Sequence, residues 1–250
     1  GKITLAFFPA FLISLKEDIF YNVRAVWRFL SLFLASAIFL SFNFSILPSF
    51  NIPMLDVYSN SHLGFLIYCF SIVAVANGSN LIDGVNGLCS FVFLIIFSCI
   101  IFLSYSVQDI SIMICASFFI FQILSFIIFN YPRGIIFLGD TGAYLLGFSA
   151  STLLFLLFSR HQQLSAINGL IILIYPITEI LYTVLRRFLS RVPIYKPDRK
   201  HLHLLIFEFL RPIGRLKKYS NNAVTPILAF LWSFPIIVLP FIYKNIRKMM

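Results

Sequence analysis

Apolar runs set the terms for anything this chain can fold into. Seven of them, at about 26–46, 62–76, 88–105, 110–129, 142–158, 165–185 and 223–243, meet or approach the ~20 residues a helix needs to cross a bilayer. Hydrophobic residues make up 60% of the chain and charged ones 11%, with mean hydropathy +0.95. A soluble domain is about half apolar and about a quarter charged, so the composition excludes that class. Inside lipid the backbone must satisfy its own hydrogen bonds, and long unbroken apolar runs do so as helices. The sequence therefore predicts an all-α, polytopic helical membrane protein of about seven to eight spans, forming one integral-membrane domain over residues 1–250. The stretch 3–15 is too short to span and reads as the end of a helix that begins earlier. A basic tail, Lys244, Arg247 and Lys248, lies beyond the last run, where the span would deliver it to the wrong side. Both features predict a chain cut from a longer one at each end. No small-residue cleavage site follows the first run, so no cleavable signal peptide is read.

The formal net charge of +10 does not point to nucleic acid, because the basic residues follow the loops. Lys16, Arg24, Arg28, Arg133 and the cluster from Arg186 to Lys218 fall in alternate loops, and the intervening ones carry only Arg160. The positive-inside rule then places all the polar islands on the cytoplasmic side. Cys69, Cys89, Cys99 and Cys115 lie in or beside apolar runs without paired spacing and read as packing residues.

Four polar islands interrupt the hydrocarbon. In residues 77–88, Asn77, Asn80, Asp83 and Asn86 recur every third residue with Gly78, Gly84 and Gly87 between them. That spacing keeps side chains close on a helical turn, glycine admits a ligand close to backbone, and amide and carboxylate oxygens suit a hard cation such as Mg²⁺. A polar turn between two spans is the plainer alternative. Asp140, in the stretch 130–141, is a carboxylate flanked by apolar residues; it is either a metal ligand or a helix N-cap. His201 and His203 sit beside Arg199 and Lys200 in the long loop 186–218, where no third histidine or cysteine completes a zinc site. This grouping suits phosphate oxygens; a basic loop attracted to anionic headgroups accounts for Arg211, Arg215, Lys217 and Lys218 but not for the two histidines. Glu17 and Asp18 precede Arg24 and Arg28, either as partners of a phosphate-gripping arginine or as an ordinary charged helix boundary. Glu179, inside a span, is a functional candidate as an intramembrane acid or simply a partner of Arg186 or Arg187, and it stays outside the predicted site.

Taken in order from Leu15 to about Phe207, these islands resemble the polyprenyl-phosphate N-acetylhexosamine-1-phosphate transferases. That family includes the undecaprenyl-phosphate GlcNAc-1-phosphate transferases and the phospho-MurNAc-pentapeptide transferases. The match runs through Glu17-Asp18, where the family commonly has Asp-Asp, the Asn-x-x-Asn-x-x-Asp-Gly-x-Asn-Gly-Leu stretch at 77–88, Asp140, and His201-x-His203. The resemblance implies transfer of a HexNAc-1-phosphate from a UDP-sugar to undecaprenyl phosphate with release of UMP, at the cytoplasmic face of a bacterial inner membrane. It implies Asn80 and Asp140 as ligands of Mg²⁺, with Mn²⁺ as the substitute ion. Glu17, Asp18, Asp83, His201 and His203 become the catalytic set, and Arg28, Asn77, Asn86 and Arg199 the substrate-binding set. For Asp18 it leaves positioning ahead of general base. UDP-sugar, undecaprenyl phosphate and membrane lipids are the implied partners, nucleic acid is not, and a homodimer is compatible with the family. Asn86 in place of Asp and Leu204 in place of a further His point away from the muramoyl-pentapeptide branch and towards O-antigen or capsule glycans. That branch, and a catalytically inactive relative, are the alternatives. A transporter would gather its ionisable groups at mid-membrane instead of at one edge.

Overall fold

The computed structural model describes residues 2–43, 47–59, 61–191, 200–212 and 220–234. The elements are α1 (Lys2–Phe20), α2 (Ala25–Ser41), α3 (Pro53–Ser59), α4 (His62–Ile82), α5 (Leu88–Ser106), α6 (Ile110–Asn130), α7 (Gly139–Arg160), α8 (Ile167–Ile172), α9 (Ile174–Leu189), α10 (Leu202–Leu210) and α11 (Ser220–Leu231). No strand occurs among the described residues.

Helix α7 is the axis of the molecule. Of its most apolar 18-residue window 78% is buried, against 17% for α6, so α7 lies inside the bundle and α6 turns most of its surface outward. The sequence of α7 explains its place, because Gly147, Ala143 and Ala150 let neighbours approach closely while Leu and Phe fill the remaining directions. Phe148 and Phe155 pack with Phe39 of α2 and Tyr68 of α4 on one flank. Leu146, Leu153 and Leu157 join α5 and α6 residues on the other. On α6, Ile114, Phe118, Phe121 and Ile128 are exposed, as expected of side chains that meet lipid.

Polar residues fix the helices where hydrocarbon cannot. Ser79 Oγ donates across the α4–α7 interface to the Ala143 carbonyl at 2.6 Å. At the end opposite the islands, Asp109 caps α6 through the Ile112 N–H at 3.1 Å and lies 3.1 Å from Arg160 and 3.3 Å from His161. Burial opposes ionisation of Asp109, but hydrogen bonds from Ser111, the Ile112 N–H, Arg160 and His161 prevail and hold its carboxyl down at about 2. This cluster ties the α5–α6 turn to the end of α7.

The span count is lower than the sequence suggests. Among the described residues four helices are long and apolar enough to cross a membrane, α4, α5, α6 and α7, or five if α8 and α9 are one broken span. The first expected run yields only the 17 residues of α2, and the last is described only as far as residue 234. The run 165–185 is not continuous, for it bends by 79° between α8 and α9. Pro176 accounts for the break: it has no N–H to give residue 172, and its ring displaces that carbonyl. The amphipathic α9 that follows buries Tyr175, Glu179, Thr183 and Arg187 and leaves Leu181, Leu185 and Phe188 exposed.

Candidate active site

Asp140 sits in the first turn of α7, and three other helices supply what surrounds it. Its Oδ2 is paired with the Arg28 guanidinium of α2, and its Oδ1 accepts from Asn80 Nδ2 of α4 at 2.7 Å. From α1, Asp18 reaches the start of α7 and accepts from two of its backbone donors, Asp140 N–H at 2.8 Å and Thr141 N–H at 3.0 Å. Asp18 thus performs the capping that no residue of α7 performs for itself, and a carboxylate at a helix N-terminus is stabilised by the dipole. Its neighbour Glu17 accepts from Val23 N–H at 2.7 Å and lies 3.7 Å from Arg28. One guanidinium therefore bridges two carboxylates contributed by α1 and α7.

The island at 77–88 is half helix and half turn. Asn77 and Asn80 lie on α4, Asp83 caps its end, and residues 84–87 turn into α5, so the three-residue repeat does not continue as a helical stripe. Asn77 donates to its own helix at Val73 O, 2.9 Å away, whereas Asn80 donates to Asp140. Asp83 has its carboxyl pushed up to about 7, first by burial and then by the charges of Asp140 and Asp18. Three carboxylates from three helices thus feel one another at this end of the bundle.

The histidine pair meets the island at Gly84. A Cβ placed there would lie 2.1 Å from His203 Nε2, so only glycine admits the ring. His203 is buried and His201 nearly so, their rings parallel with centroids 5.8 Å apart. Glu179, left aside on sequence, anchors this loop and does not bond Arg186 or Arg187 in any described contact. Its Oε1 accepts from Leu202 N–H at 3.1 Å and its Oε2 lies 3.4 Å from His201 Nδ1, where Thr183 Oγ1 also stands 3.4 Å away. Burial drives the His203 imidazole down to about 4, with His201 adding to the fall and Glu179 opposing it. His203 is therefore neutral at pH 7, a hydrogen-bonding dipole and not a cation. Its Nδ1 is buried without a hydrogen-bond partner.

This predicts how the loop responds to acid. A histidine whose folded pKa lies below its free value favours the docked loop when neutral; docking weakens as pH falls from 6.5 towards 4 and no further below that. The window corresponds to about 3 kcal/mol. Hydrogen exchange of the α10 amides, corrected for intrinsic rates, should accelerate over that range in the parent protein and much less in His203→Gln. Equal acceleration in both would assign the effect to other groups, Glu179 and His201 being the ionisable side chains beside it.

Asn86 belongs to a second polar knot one turn away. Its Nδ2 donates to Pro132 O and to Asn222 Oδ1, both at 3.2 Å, and its N–H donates to Asn221 Oδ1 at 2.9 Å. Asn130 accepts from Gly87 N–H at 2.6 Å and donates to Ile136 O at 2.7 Å, fastening the 131–138 loop to the island. Asn130, Asn221, Asn222 and Glu179 were missed on sequence. The available signal was an amide or carboxylate inside, or at the edge of, an otherwise apolar run. Arg199 lies outside the described residues, as does most of the basic stretch from 192 to 218.

The residues fit a hard divalent cation by their chemistry. Asp140 and Asn80 offer carboxylate and amide oxygen, Asp140 faces Arg28, and Asp83 is buried within reach of the charges of Asp140 and Asp18. Among the described residues no three histidine, cysteine, aspartate or glutamate side chains form a metal cage. In general Mg²⁺ takes one or two protein oxygens and fills its shell with water and phosphate.

Fold and site define a polytopic helical membrane protein with a phosphate- and cation-suited polar centre at one end of its bundle. Residues 2–158 match the profile of glycosyl transferase family 4. The chain belongs to that family. It is 31% identical over 194 residues to a probable undecaprenyl-phosphate N-acetylglucosaminyl 1-phosphate transferase of Bacillus subtilis, covering 76% of this chain and 52% of the relative. It is 28% identical over 213 residues to the undecaprenyl-phosphate alpha-N-acetylglucosaminyl 1-phosphate transferase of Thermotoga maritima, covering 84% and 61% respectively. A phospho-N-acetylmuramoyl-pentapeptide-transferase of Leuconostoc mesenteroides is 33% identical over 97 residues, 39% of this chain and 30% of that one. The chain thus spans only half to three-fifths of the length of the first two relatives.

Proposed function

We propose that the protein transfers a HexNAc-1-phosphate from a UDP-sugar to undecaprenyl phosphate, releasing UMP, as the first membrane step of a cell-surface glycan. The observation that carries this reading is the convergence of Arg28, Asn80 and Asp140, with α7 capped by Asp18, beside His203 on Gly84. An oxygen of the lipid phosphate attacks the sugar-linked phosphorus, the bridging P–O bond breaks, and UMP leaves with the electron pair. The lipid phosphate, with a second pKa of about 6, is largely dianionic at pH 7 and needs no strong base. This favours positioning over proton abstraction for Asp18, both of whose oxygens are engaged by the α7 backbone.

Arg28 supplies fixed positive charge beside Asp140, suited to diphosphate oxygens. His203 contributes a neutral imidazole dipole, and Glu179 with His201 fixes the loop that carries it. Asn86, at the exposed edge of the second knot, suits recognition of a base by its amide. Asp140 and Asn80 would hold Mg²⁺, or Mn²⁺ in its place, and the ion supplies Lewis-acid neutralisation of charge on the diphosphate. The active end faces the cytoplasm of a bacterial inner membrane, where the soluble nucleotide sugar and the lipid phosphate meet. UMP release by the full-length protein with undecaprenyl phosphate and Mg²⁺, over a panel of UDP-sugars, tests the reading. Turnover of one UDP-HexNAc is expected; turnover of UDP-MurNAc-pentapeptide alone would move the protein to the peptidoglycan branch, and none at all would make it an inactive relative.

A further inference from the structure

The corner between α1 and α2 holds a cleft that the proposed chemistry does not use. It encloses about 300 Å³ and is lined by Ile13, Lys16, Asn22, Val23, Arg24 and Trp27. No carboxylate is among its walls. The nearest in sequence, Glu17, is turned to Val23 N–H and Arg28, and Asp18 to the α7 backbone. Lys16 and Arg24 are exposed, and among the described residues neither is paired with an acid. Arg24 also stands at the N-cap of α2 without a side-chain capping bond, so the positive end of the helix dipole adds to the two cations. Two unpaired cations, a helix N-terminus and an indole therefore meet around one open space.

The rim says what kind of anion belongs there. Ile19, Phe20, Tyr21, Val26 and Trp27 are all more than half exposed. Exposed aromatic and aliphatic residues beside Lys and Arg at a helix end are the pattern of a membrane interface, where the rings lie at headgroup depth. The floor, Ile13 and Val23, is apolar. A free phosphate would use only the two cations and gain nothing from the apolar walls, whereas an anionic head with a hydrocarbon tail satisfies both parts.

We propose that the cleft between the end of α1 and the start of α2 binds the phosphate of a membrane lipid, through Lys16, Arg24 and the Trp27 indole. The lipid this implies is an anionic phospholipid of the bilayer, and the site sits one helical turn of α2 from Arg28. The inference rests on the membrane reading of the chain and not on its catalytic activity.

Native mass spectrometry of the full-length protein, released from nanodiscs of phosphatidylcholine with or without phosphatidylglycerol, tests it. Parent protein should retain phosphatidylglycerol over phosphatidylcholine. Lys16→Gln/Arg24→Gln should retain about 30-fold less, from a factor of about 5 per interfacial cation. Arg211→Gln, an exposed cation on a different helix, should lose no more than the factor of about 5 of a single interfacial cation and controls for general charge loss. Trp27→Ala should weaken retention without changing net charge. Added polyprenyl phosphate should not displace phosphatidylglycerol from the parent; displacement would make the cleft part of the acceptor-lipid site of the proposed function and overturn the inference. Measuring the same retention in Asp140→Asn, where no loss is expected, keeps the result separate from the transferase reading. Retention unchanged in Lys16→Gln/Arg24→Gln overturns the proposal.

Discussion

Asp140→Asn is expected to lower kcat/KM for the proposed transfer about 1,000-fold, the upper end of what losing one electrostatic stabiliser costs an active site. The substitution keeps the shape of the side chain and the backbone N–H that Asp18 accepts, so α7 remains capped. What disappears is the negative charge that faces Arg28 and the carboxylate oxygen available to a cation. Both partners of that ion pair are about one-fifth exposed, so water recovers part of the loss and the fold should cost only about 1 kcal/mol. A UMP-release assay together with a thermal melt separates the two effects. Activity within tenfold of the parent would remove Asp140 from the centre of the site.

Gly78→Ala should be the most damaging single methyl group in the described structure. The added Cβ would lie 2.1 Å from the Pro176 carbonyl oxygen and 2.7 Å from its carbon. Those are backbone atoms and no rotamer relieves the clash, so α4 and α9 must separate. Overpacking of this kind costs about 3 kcal/mol or more, which for a chain of this length lowers Tm by about 10 °C. The displacement also reaches the chemistry, because Glu179 follows Pro176 by one turn and holds the His201–His203 loop. Gly142→Ala is the contrast. There the nearest atom is the Leu138 side chain at 2.8 Å, which can rotate away, and a cost under about 1 kcal/mol is expected. Equal melting temperatures for the two variants would contradict the close α4–α9 approach.

Much of this architecture is legible in the sequence because the relevant signals are local. Apolar runs mark helices, and charge in alternate loops marks one end of the bundle; the structure brings Glu17, Asp18, Arg28, Asn80, Asp83, Asp140 and His203 to one end as those signals require. Relations between residues far apart in the chain were not legible. Nothing near Asp18 says that its carboxylate caps a helix beginning more than a hundred residues later. Glu179 on a periodic apolar helix is equally compatible with an arginine two turns on and with a loop that folds back, and only packing selects the loop. Asn77 repeats in register with Asn80 yet bonds its own helix, because spacing fixes direction around α4 but not which neighbour stands there. The broken span was readable in principle from Pro176, whose effect on the preceding turn is local.

The coupling between Asp140 and His203 in catalysis tests the single-site account most directly. The two residues lie 63 positions apart, on different helices, and the account makes them parts of one unit through Asn80, the island turn and Gly84. A double-mutant cycle of Asp140→Asn and His203→Ala on kcat/KM for UMP release should be strongly non-additive, the second change costing little once the first is made. Effects that simply multiply would mean that the two residues act independently, and that the polar islands do not form one active centre.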